Sequence, residues 1–433
     1  MKDECFVAFR RITLLERPGA GLMESTPSGA HPWRIQGPVY GTAFFAGNLF
    51  PMNHVVMPLW AAIELEASLF MVGVIIASRQ LLPVTMSIHG GALLDRFGPR
   101  RVIMVLGVLG ALSTAMVPFF PFIWATIALQ IVIGFCETTN WIGVQSAVGT
   151  MLKGQAVFAG RMTASARAGG FFGPLMVGIA YESTGPVGGF LCFGGWTMCG
   201  AFAAMYLPRH VAYPVSIAPN GGETDKPART DVLPSLADYR ETFRLLLLPA
   251  IALVIAATFM RQTGSGVQAS FYSVWLKDLG YTAGTIGLLI GVSNGVSAVS
   301  ALSIGPLARR FADHWLLIFM VGVAIVGVAV TPLFEGLVLL TLAISLRGVG
   351  QGLNLPLMIS IASRTVAPRL QGRVAALRIS FNRLGSALVP VLMGTLAEVI
   401  GLEYAFYAIG ATGLVLLGVL SVWVARTKDQ FGA

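Results

Sequence analysis

Charged side chains lie deep inside several long apolar runs of this sequence. Arg79, Glu137, Arg261 and Arg347 fall close to the middle of four such runs, and Glu137 is the only acidic residue at that depth. A charge at the centre of a bilayer costs at least about 2.5–3.5 kcal/mol, so such residues usually serve function. A carboxylate can carry a proton, and a planar guanidinium can bind an anion through two parallel hydrogen bonds. These four residues are therefore the candidate substrate- and ion-binding residues.

The chemistry of Glu137 depends on its neighbours. Burial favours the neutral form of a carboxyl group, whereas an arginine partner favours the anion. Glu137 is therefore either a proton carrier or one half of a static buried ion pair. Three more arginines lie inside apolar runs but closer to their ends, where snorkelling or a structural role is the alternative to function. They are Arg167, Arg378 and Arg383.

The elements that position these residues are membrane helices. The chain has 433 residues, of which 55% are hydrophobic and only 11% are charged, whereas a soluble protein has roughly 25% charged residues. Crossing a bilayer takes about 20 apolar residues in a helix. Suitable segments lie at 39–59, 69–89, 102–119, 122–148, 163–181 and 188–207, and at 245–275, 282–305, 316–330, 337–362, 374–399 and 405–424. The sequence predicts an all-α, polytopic membrane protein with twelve spans.

The basic residues between the spans predict the orientation. With the N-terminus inside, the outer loops hold only Lys277 among cations, whereas the inner loops are rich in arginine. Residues 1–37 then form a cytosolic tail, 38–207 the first six-helix bundle, 208–242 a cytosolic linker, 243–425 the second bundle and 426–433 a cytosolic tail. The polar first ~35 residues indicate no cleaved signal peptide. We expect a protein of the plasma or inner membrane with both termini in the cytoplasm.

The second half of the chain repeats the first. The shift that places Arg167 on Arg383 aligns further identical residues without a gap, and a nearly identical shift aligns the loop after the second span with the loop after the eighth. The other matched pairs include Pro174 with Pro390, Gly178 with Gly394, Glu182 with Glu398, and Gly91 with Gly305. Both copies of each element lie on the same predicted side of the membrane. The halves are therefore parallel repeats of six helices.

The loop after the second span carries a family resemblance. Its Gly, Asp-Arg, second Gly and paired Arg resemble the loop between helices 2 and 3 of the major facilitator superfamily. The matching residues are Gly91, Asp95, Arg96, Gly98, Arg100 and Arg101. Leu94 and Pro99 depart from the usual pattern, and the second copy, at Gly305, has lost its Asp. The resemblance implies that this loop is a conformational latch, in which Asp95 holds the cytosolic side shut.

Two further motifs extend the resemblance over residues 39–424. The fifth span contains Gly169, Gly173, Pro174 and Gly178, which resemble a glycine–proline signature of antiporter branches of the family. In the tenth span, Arg347 with Gly350 and Gly352 resembles the family's arginine-plus-glycine motif. The resemblance implies two bundles around a central cavity, with alternating access by rocking of one bundle against the other. Mid-span residues of helices 2, 4, 7 and 10 would then reach the cavity.

The predicted function is secondary active transport of a small solute, driven by protons. The excess of buried arginines over Glu137 argues for an anionic substrate, such as a small organic carboxylate or phosphate ester. The signature in the fifth span argues instead for efflux by antiport of amphipathic compounds, and we favour export. The alternatives are an uptake symporter for an organic anion and, in another class, a sensor or scaffold that has lost transport. In the transporter, Glu137 would pair with one of the three mid-span arginines.

Enzymatic chemistry is not expected. The run Gly291-Val-Ser293-Asn-Gly295 matches the hydrolase nucleophile elbow, but it lies inside an apolar helix and not at a strand–turn–helix junction. The scattered His and Cys residues have no metal-ligand spacing, so we expect no metal and no cofactor. The formal net charge of +9 is spread over short loops, which does not favour nucleic acid as a partner. The expected partners are a small-molecule substrate, protons and the lipid bilayer, with the chain as a monomer.

Overall fold

The computed structural model describes residues 33–152, 156–208, 243–366 and 368–427. Helices make up the described part of the chain, which contains no strand. The first half has α1 (Trp33–Ala46), α2 (Leu49–Leu59), α3 (Leu69–Ser78), α4 (Leu81–Phe97), α5 (Pro99–Met116), α6 (Ile123–Met151) and α7 (Ala156–Met205). The second half has α8 (Pro249–Ser270), α9 (Tyr272–Asp278), α10 (Ala283–Leu302), α11 (Ile304–Arg310), α12 (Asp313–Ala329), α13 (Leu337–Thr365), α14 (Pro368–Ile400) and α15 (Leu402–Arg426).

Prolines explain two interruptions of these helices. A proline has no N–H to bond the carbonyl four residues earlier, and its ring crowds that carbonyl. Pro51 leaves the Gly47 carbonyl without this hydrogen bond, and the chain is interrupted there between α1 and α2. Pro83 does the same to the Arg79 carbonyl, between α3 and α4. A third change of direction occurs in α7 at Gly185, whose φ of 71° lies in the region that glycine tolerates. The break at Arg79 positions the candidate site.

The helices agree with the predicted membrane fold. Eight helical stretches of the described residues are long and apolar enough to cross a membrane, and the longest of them, Phe158–Met205, contains the bend at Gly185. Two shorter apolar helices, Leu69–Ser78 and Asp313–Ala329, lie where the second and ninth spans were predicted. The total of twelve crossings stays a prediction. The predicted tails and most of the linker, at 1–32, 209–242 and 428–433, lie outside the described residues.

The two halves pack together through pairs of crossing helices. The described residues from Arg34 onward belong to one compact unit. Within it, α7 packs along α10, and α3 packs along α14. The largest apolar cluster takes buried side chains from both halves, including Met52, Phe190, Ile286 and Met393. This shared core holds the polar residues of the two halves in a common central region.

Candidate functional site

Arg79 is positioned by the break between α3 and α4. Because Pro83 cannot bond the Arg79 carbonyl, this oxygen is left for another contact, and Gly134 of α6 packs directly on it. A side chain at Gly134 would collide with the backbone and side chain of Arg79. The Arg79 side chain is only 2% exposed. The close contact of α6 with the helix break therefore brings Arg79 to the residues that follow Gly134 on α6.

The partner of Arg79 is Glu137, one turn further along α6. Nη2 of Arg79 donates to the Glu137 carboxylate, whose side chain is 12% exposed. The same Nη2 lies 3.4 Å from the Leu49 carbonyl, and the guanidinium carbon lies 5.6 Å from the centre of the Phe50 ring. The expected pairing of Glu137 with a mid-span arginine is present in the structure.

A small polar cavity lies beside this ion pair. Arg79 lines the cavity, and its Nε and Nη1 are buried without a hydrogen-bond partner among the described residues. Both halves contribute the other polar lining residues, which are Asn53, His54, Gln80, Gln262, Ser265 and Ser386. A residue that lines a space between the halves therefore has two guanidinium donors without a partner among the described residues.

Arg261 and Arg347 have neutral partners in the second half. Nη1 of Arg261 donates to Oε1 of Gln351 over 2.7 Å, and its Nη2 donates to Oδ1 of Asn382. Nη1 of Arg347 donates to Oγ of Ser293 over 2.9 Å, and its Nε is buried without a partner among the described residues. Neither arginine makes a salt bridge with a carboxylate of the described residues. Two positive charges are thus held by oxygens that carry no charge.

Gln351 connects Arg261 with the cavity wall, and Gln80 connects the cavity wall with Arg383. Nε2 of Gln351 donates to Oγ of Ser265 over 2.9 Å, and Ser265 lines the cavity. Gln80, next to Arg79, accepts a hydrogen bond of 3.0 Å from Nη1 of Arg383 in α14. This bond joins the first half to the second beside the ion pair. Arg383, which the sequence placed nearer the inner end of its span, therefore contacts the central region.

Glu137 also lines a second small cavity, inside the first half. Its polar neighbours there include Thr114, Asn140 and Thr197. The carboxylate therefore lies between Arg79, which lines the small cavity between the halves, and a second small space among α5, α6 and α7.

The motif of the fifth span lies at helix crossings. Side chains at Gly169 and Gly173 would collide with α1 or α2, at the Phe44 carbonyl and the Met52 sulfur, respectively. A side chain at Gly178 would collide with the Ala283 carbonyl of α10, and the carbonyl of Pro174 contacts Gly287. The small residues thus allow α7 to approach the first span on one side and the second half on the other.

The predicted latch is described only in part. Gly98 has a φ of 79° and joins α4 to α5, with Pro99 in the first turn of α5, as expected for a tight turn. Arg96 and Arg101 are exposed, Arg100 is half-buried, and the guanidinium of Arg96 lies 5.3 Å from the Phe97 ring centre. The surroundings of Gly91 and Asp95 lie outside the described residues. The latch role of this loop stays a prediction.

Sequence reasoning missed the neutral half of the site. It selected charges inside apolar runs and passed over the amides and hydroxyls that bind them, such as Gln80, Ser293, Gln351 and Asn382. The repeat contained a signal for one of them. In the alignment that places Gly91 on Gly305, Glu137 falls on Gln351. The described residues contain no group of three or more His, Cys, Asp or Glu side chains that could hold a metal ion.

Comparisons with known proteins agree with this architecture. The family model for the Major Facilitator Superfamily matches residues 39–260 and 254–431. The multidrug efflux pump Tap of Mycolicibacterium fortuitum is 24% identical over 388 residues, with 86% of this chain and 91% of that protein covered. The multidrug resistance protein MdtG of a Rahnella strain is 22% identical over 409 residues, with coverages of 89% and 92%.

Solved transporter structures share the fold. The nucleoside transporter NupG has a TM-score of 0.69 at 13% identity and covers 89% of this chain and 98% of its own. A bacterial homologue of the human lysosomal transporter Spinster, in an inward-facing and occupied conformation, has a TM-score of 0.73 at 14% identity, with coverages of 92% and 98%. The family match, the helical fold and the buried charges between two repeats identify a multi-pass membrane transporter and not an enzyme. The chain belongs to the major facilitator superfamily.

Proposed function

We propose that this transporter exports small amphipathic molecules from the cell in exchange for protons, with Glu137 as the proton carrier. The observation that carries the proposal is the buried ion pair of Arg79 and Glu137, in which Arg79 lines the small cavity between the halves and Glu137 lines a second small cavity. When the Glu137 carboxylate binds a proton and releases Arg79, the net charge of the pair changes by one unit. The export direction is supported by similarity to the pumps Tap and MdtG.

The charge of the substrate decides how protons couple to its movement. A substrate with a cationic or hydrogen-bond-donating group competes with the proton for the Glu137 carboxylate, which gives exchange. An anionic substrate behaves oppositely, because protonation of Glu137 releases Arg79 and raises the positive charge of the cavity. Proton and anion then bind together, which gives symport. The same ion pair therefore serves either direction of coupling, according to the ligand.

The second candidate function is uptake of an organic anion with protons. Arg261 and Arg347 favour it, because their partners Gln351, Asn382 and Ser293 are neutral. A carboxylate or phosphate group would supply the missing charge, and a guanidinium can bind either group through two hydrogen bonds. A chain that serves as a sensor or scaffold would transport neither class of compound.

Purified protein in liposomes tests the proposal. The vesicles receive an imposed pH gradient, and uptake is measured for a panel of fluorescent amphipathic cations, neutral amphiphiles and organic anions. Export by exchange predicts that cationic or neutral amphiphiles accumulate in vesicles that are acidic inside, because protons leave the vesicle as the compound enters. Movement of anions along with protons would establish the symport alternative. Absence of pH-driven movement for every class would contradict both proposals and favour the sensor or scaffold.

The topology is part of the proposal. We place both termini and the 208–242 linker in the cytosol and the chain in a plasma or inner membrane, because the predicted outer loops contain almost no cation. Cysteine substitutions at Asn220 and Lys277 in a cysteine-free chain test it with an impermeant maleimide on intact cells. We expect labelling at position 277 only. Labelling at position 220 from outside would contradict the orientation.

A further inference from the structure

Two helix crossings join the halves on the predicted outer side, and they repeat one another. In one crossing, Gly178 of α7 packs on the Ala283 carbonyl of α10; in the other, Gly394 of α14 packs on the Leu69 carbonyl of α3. A second glycine acts in the same way in each crossing, where Gly287 meets the Pro174 carbonyl and Gly73 meets the Pro390 carbonyl. Each half therefore contributes one proline–glycine helix and one helix start.

A glutamate completes each crossing. Glu182, four residues after Gly178, accepts a hydrogen bond of 3.0 Å from the backbone N–H of Gly284. Glu398, four residues after Gly394, accepts one of 2.9 Å from the backbone N–H of Phe70. Both bonds run from a side chain of one half to the first turn of a helix in the other. The two contacts are related by the internal repeat, in which Glu182 aligns with Glu398.

The helix starts do not supply these acceptors themselves. Thr282 caps α10 by accepting from the N–H of Thr285, and Ser68 caps α3 by accepting from the N–H of Met71. The N–H of the second residue in each helix is bonded by the glutamate of the opposite half. A carboxylate at a helix N-terminus also interacts favourably with the partial positive charge of the helix. The glutamates therefore bind the other half through charge as well as through one hydrogen bond.

We infer that Glu182 and Glu398 are the outer-gate residues of this transporter, where the outer gate is the pair of crossings α7–α10 and α3–α14. Opening toward the outside must separate these helices and withdraw both carboxylates from Gly284 and Phe70. The two glutamates stabilise the outward-closed state and so set how often the cavity opens outward. Neither of them belongs to the ion pair or to the described lining of the central cavity. The inference rests on the proposed transport function.

Accessibility of the cavity from outside tests this role without any substrate. The four native cysteines are replaced by alanine, and Ser265→Cys in the cavity lining serves as the reporter. An impermeant maleimide is added to intact cells, and the labelling rate is measured for Glu182→Gln, Glu398→Gln and the double variant. A helix-end charge stabilises by an amount that predicts a rate increase of about two- to fivefold for each single change. The double variant should label about 4- to 25-fold faster, the product of the two single effects.

Controls separate gating from folding. Glu335→Gln changes another exposed glutamate on the same predicted side and should leave the rate unchanged. Glu182→Ala and Glu398→Ala also remove the hydrogen bond and should label at least as fast as the Gln variants, whereas Glu→Asp at either site should be intermediate. Equal labelling rates of the double Gln variant and the parent, at equal amounts in the membrane, would overturn the inference. Poor folding of a Gln variant with a normal labelling rate for its folded fraction would also overturn it.

The same experiment stays valid if the proposed function fails. Labelling reports the opening of the outer gate whether or not the chain moves any compound of the substrate panel. If the unmodified protein transported none of the tested compounds, the proposed function would be contradicted, but the labelling rates could still be compared. Conversely, normal proton-coupled transport with unchanged labelling in the glutamate variants would remove only the gate assignment.

Discussion

In the first half of the chain Arg79 lies against the carboxylate of Glu137, whereas in the second half Arg261 lies against the amide of Gln351. Glu137 and Gln351 occupy equivalent places in the repeat, in the alignment that pairs Gly91 with Gly305. They have nearly the same shape and differ by one ionisable group. Under the proposed function, this difference lets the first half exchange a proton, whereas the second half has an amide and no carboxylate beside Arg261.

The backbone around the two positions supports their equivalence. Gly134 of α6 packs on the carbonyl of Arg79, and Gly348 of α13 packs on the carbonyl of Ser293. The same alignment places Gly134 on Gly348 and Arg79 on Ser293. The arginine, however, lies on a different element in each half: Arg79 follows the last residue of α3 in the first half, whereas in the second half Arg347 of α13 donates to Ser293. The two halves thus share this packing but differ in where their arginines and their carboxylate lie.

Glu137→Gln should have the largest effect, because it makes the first half like the second. We expect accumulation driven by a pH gradient to fall to the level of protein-free vesicles, while exchange of substrate down its own gradient continues. Proton binding at this position is removed, but Gln still accepts a hydrogen bond from Arg79. Uptake by proteoliposomes with and without an imposed pH gradient measures both activities.

The same variant separates the carrier from a static ion pair. Removing one partner of a buried pair costs about 3–5 kcal/mol, because the remaining charge is left uncompensated. If the pair is only structural, Glu137→Gln should be lost from the membrane, and Arg79→Gln combined with Glu137→Gln should restore it. Persistent pH-driven accumulation by a well-folded Glu137→Gln protein would eliminate Glu137 as the proton carrier.

Arg347→Gln should weaken anion binding in the second half. A hydrogen bond to a charged group contributes about 1.5–3 kcal/mol, so we expect KM for an organic anion to rise roughly 10- to 150-fold. The KM of a neutral amphiphile should change far less. Ser293→Ala is the matched control, since it removes the partner of Arg347 and keeps the charge. An equal rise in KM for charged and neutral compounds would show that Arg347 acts through packing and not through its charge.

Gln351→Glu tests the difference between a carboxylate and an amide at the equivalent position of the second half. A carboxylate at position 351 would neutralise Arg261, and we expect KM for anions to rise about tenfold, the lower end of the range for charged hydrogen bonds. The pH dependence of anion binding should also increase, because the second half would then contain a titratable group. Binding measured by tryptophan fluorescence at several pH values reports both effects. An unchanged anion affinity would mean that Arg261 does not contribute to binding.

Substitutions at the two equivalent glycines, Gly134 and Gly348, should give the smallest difference in transport between the halves. Gly134→Ala and Gly348→Ala would each place a methyl group too close to a neighbouring carbonyl oxygen. Overpacking of this kind typically costs about 1–3 kcal/mol. We expect similar reductions in melting temperature for both. Only Gly134→Ala displaces Arg79 from Glu137, so only this variant should also lower pH-driven accumulation, by several-fold. Loss of accumulation in both variants would indicate a general packing defect.

Much of the candidate site could be recognised in the sequence because charges are costly in lipid. Arg79 and Glu137 were selected for that reason, and the structure brings them into contact. The partners of Arg261 and Arg347 could not be selected, because Gln351, Asn382 and Ser293 are ordinary residues in a membrane helix. Their importance depends on which helix faces contact each other. The repeat that matches Glu182 with Glu398 likewise contained no sign of the helix starts that they bind.

The membrane class, the helical architecture and the repeat can all be read from the amino-acid sequence, since they follow from apolar runs of spanning length, from basic loops and from periodic identities. The break at Arg79 is also a local matter, because it follows from the missing N–H of Pro83. The three-dimensional packing was needed to pair Glu137 with Arg79, to give Arg261 and Arg347 neutral partners, and to bring Glu182 to Gly284. The contacts of the site join residues that are distant in the chain. Such pairings depend on helix rotation and close packing, which no local pattern specifies.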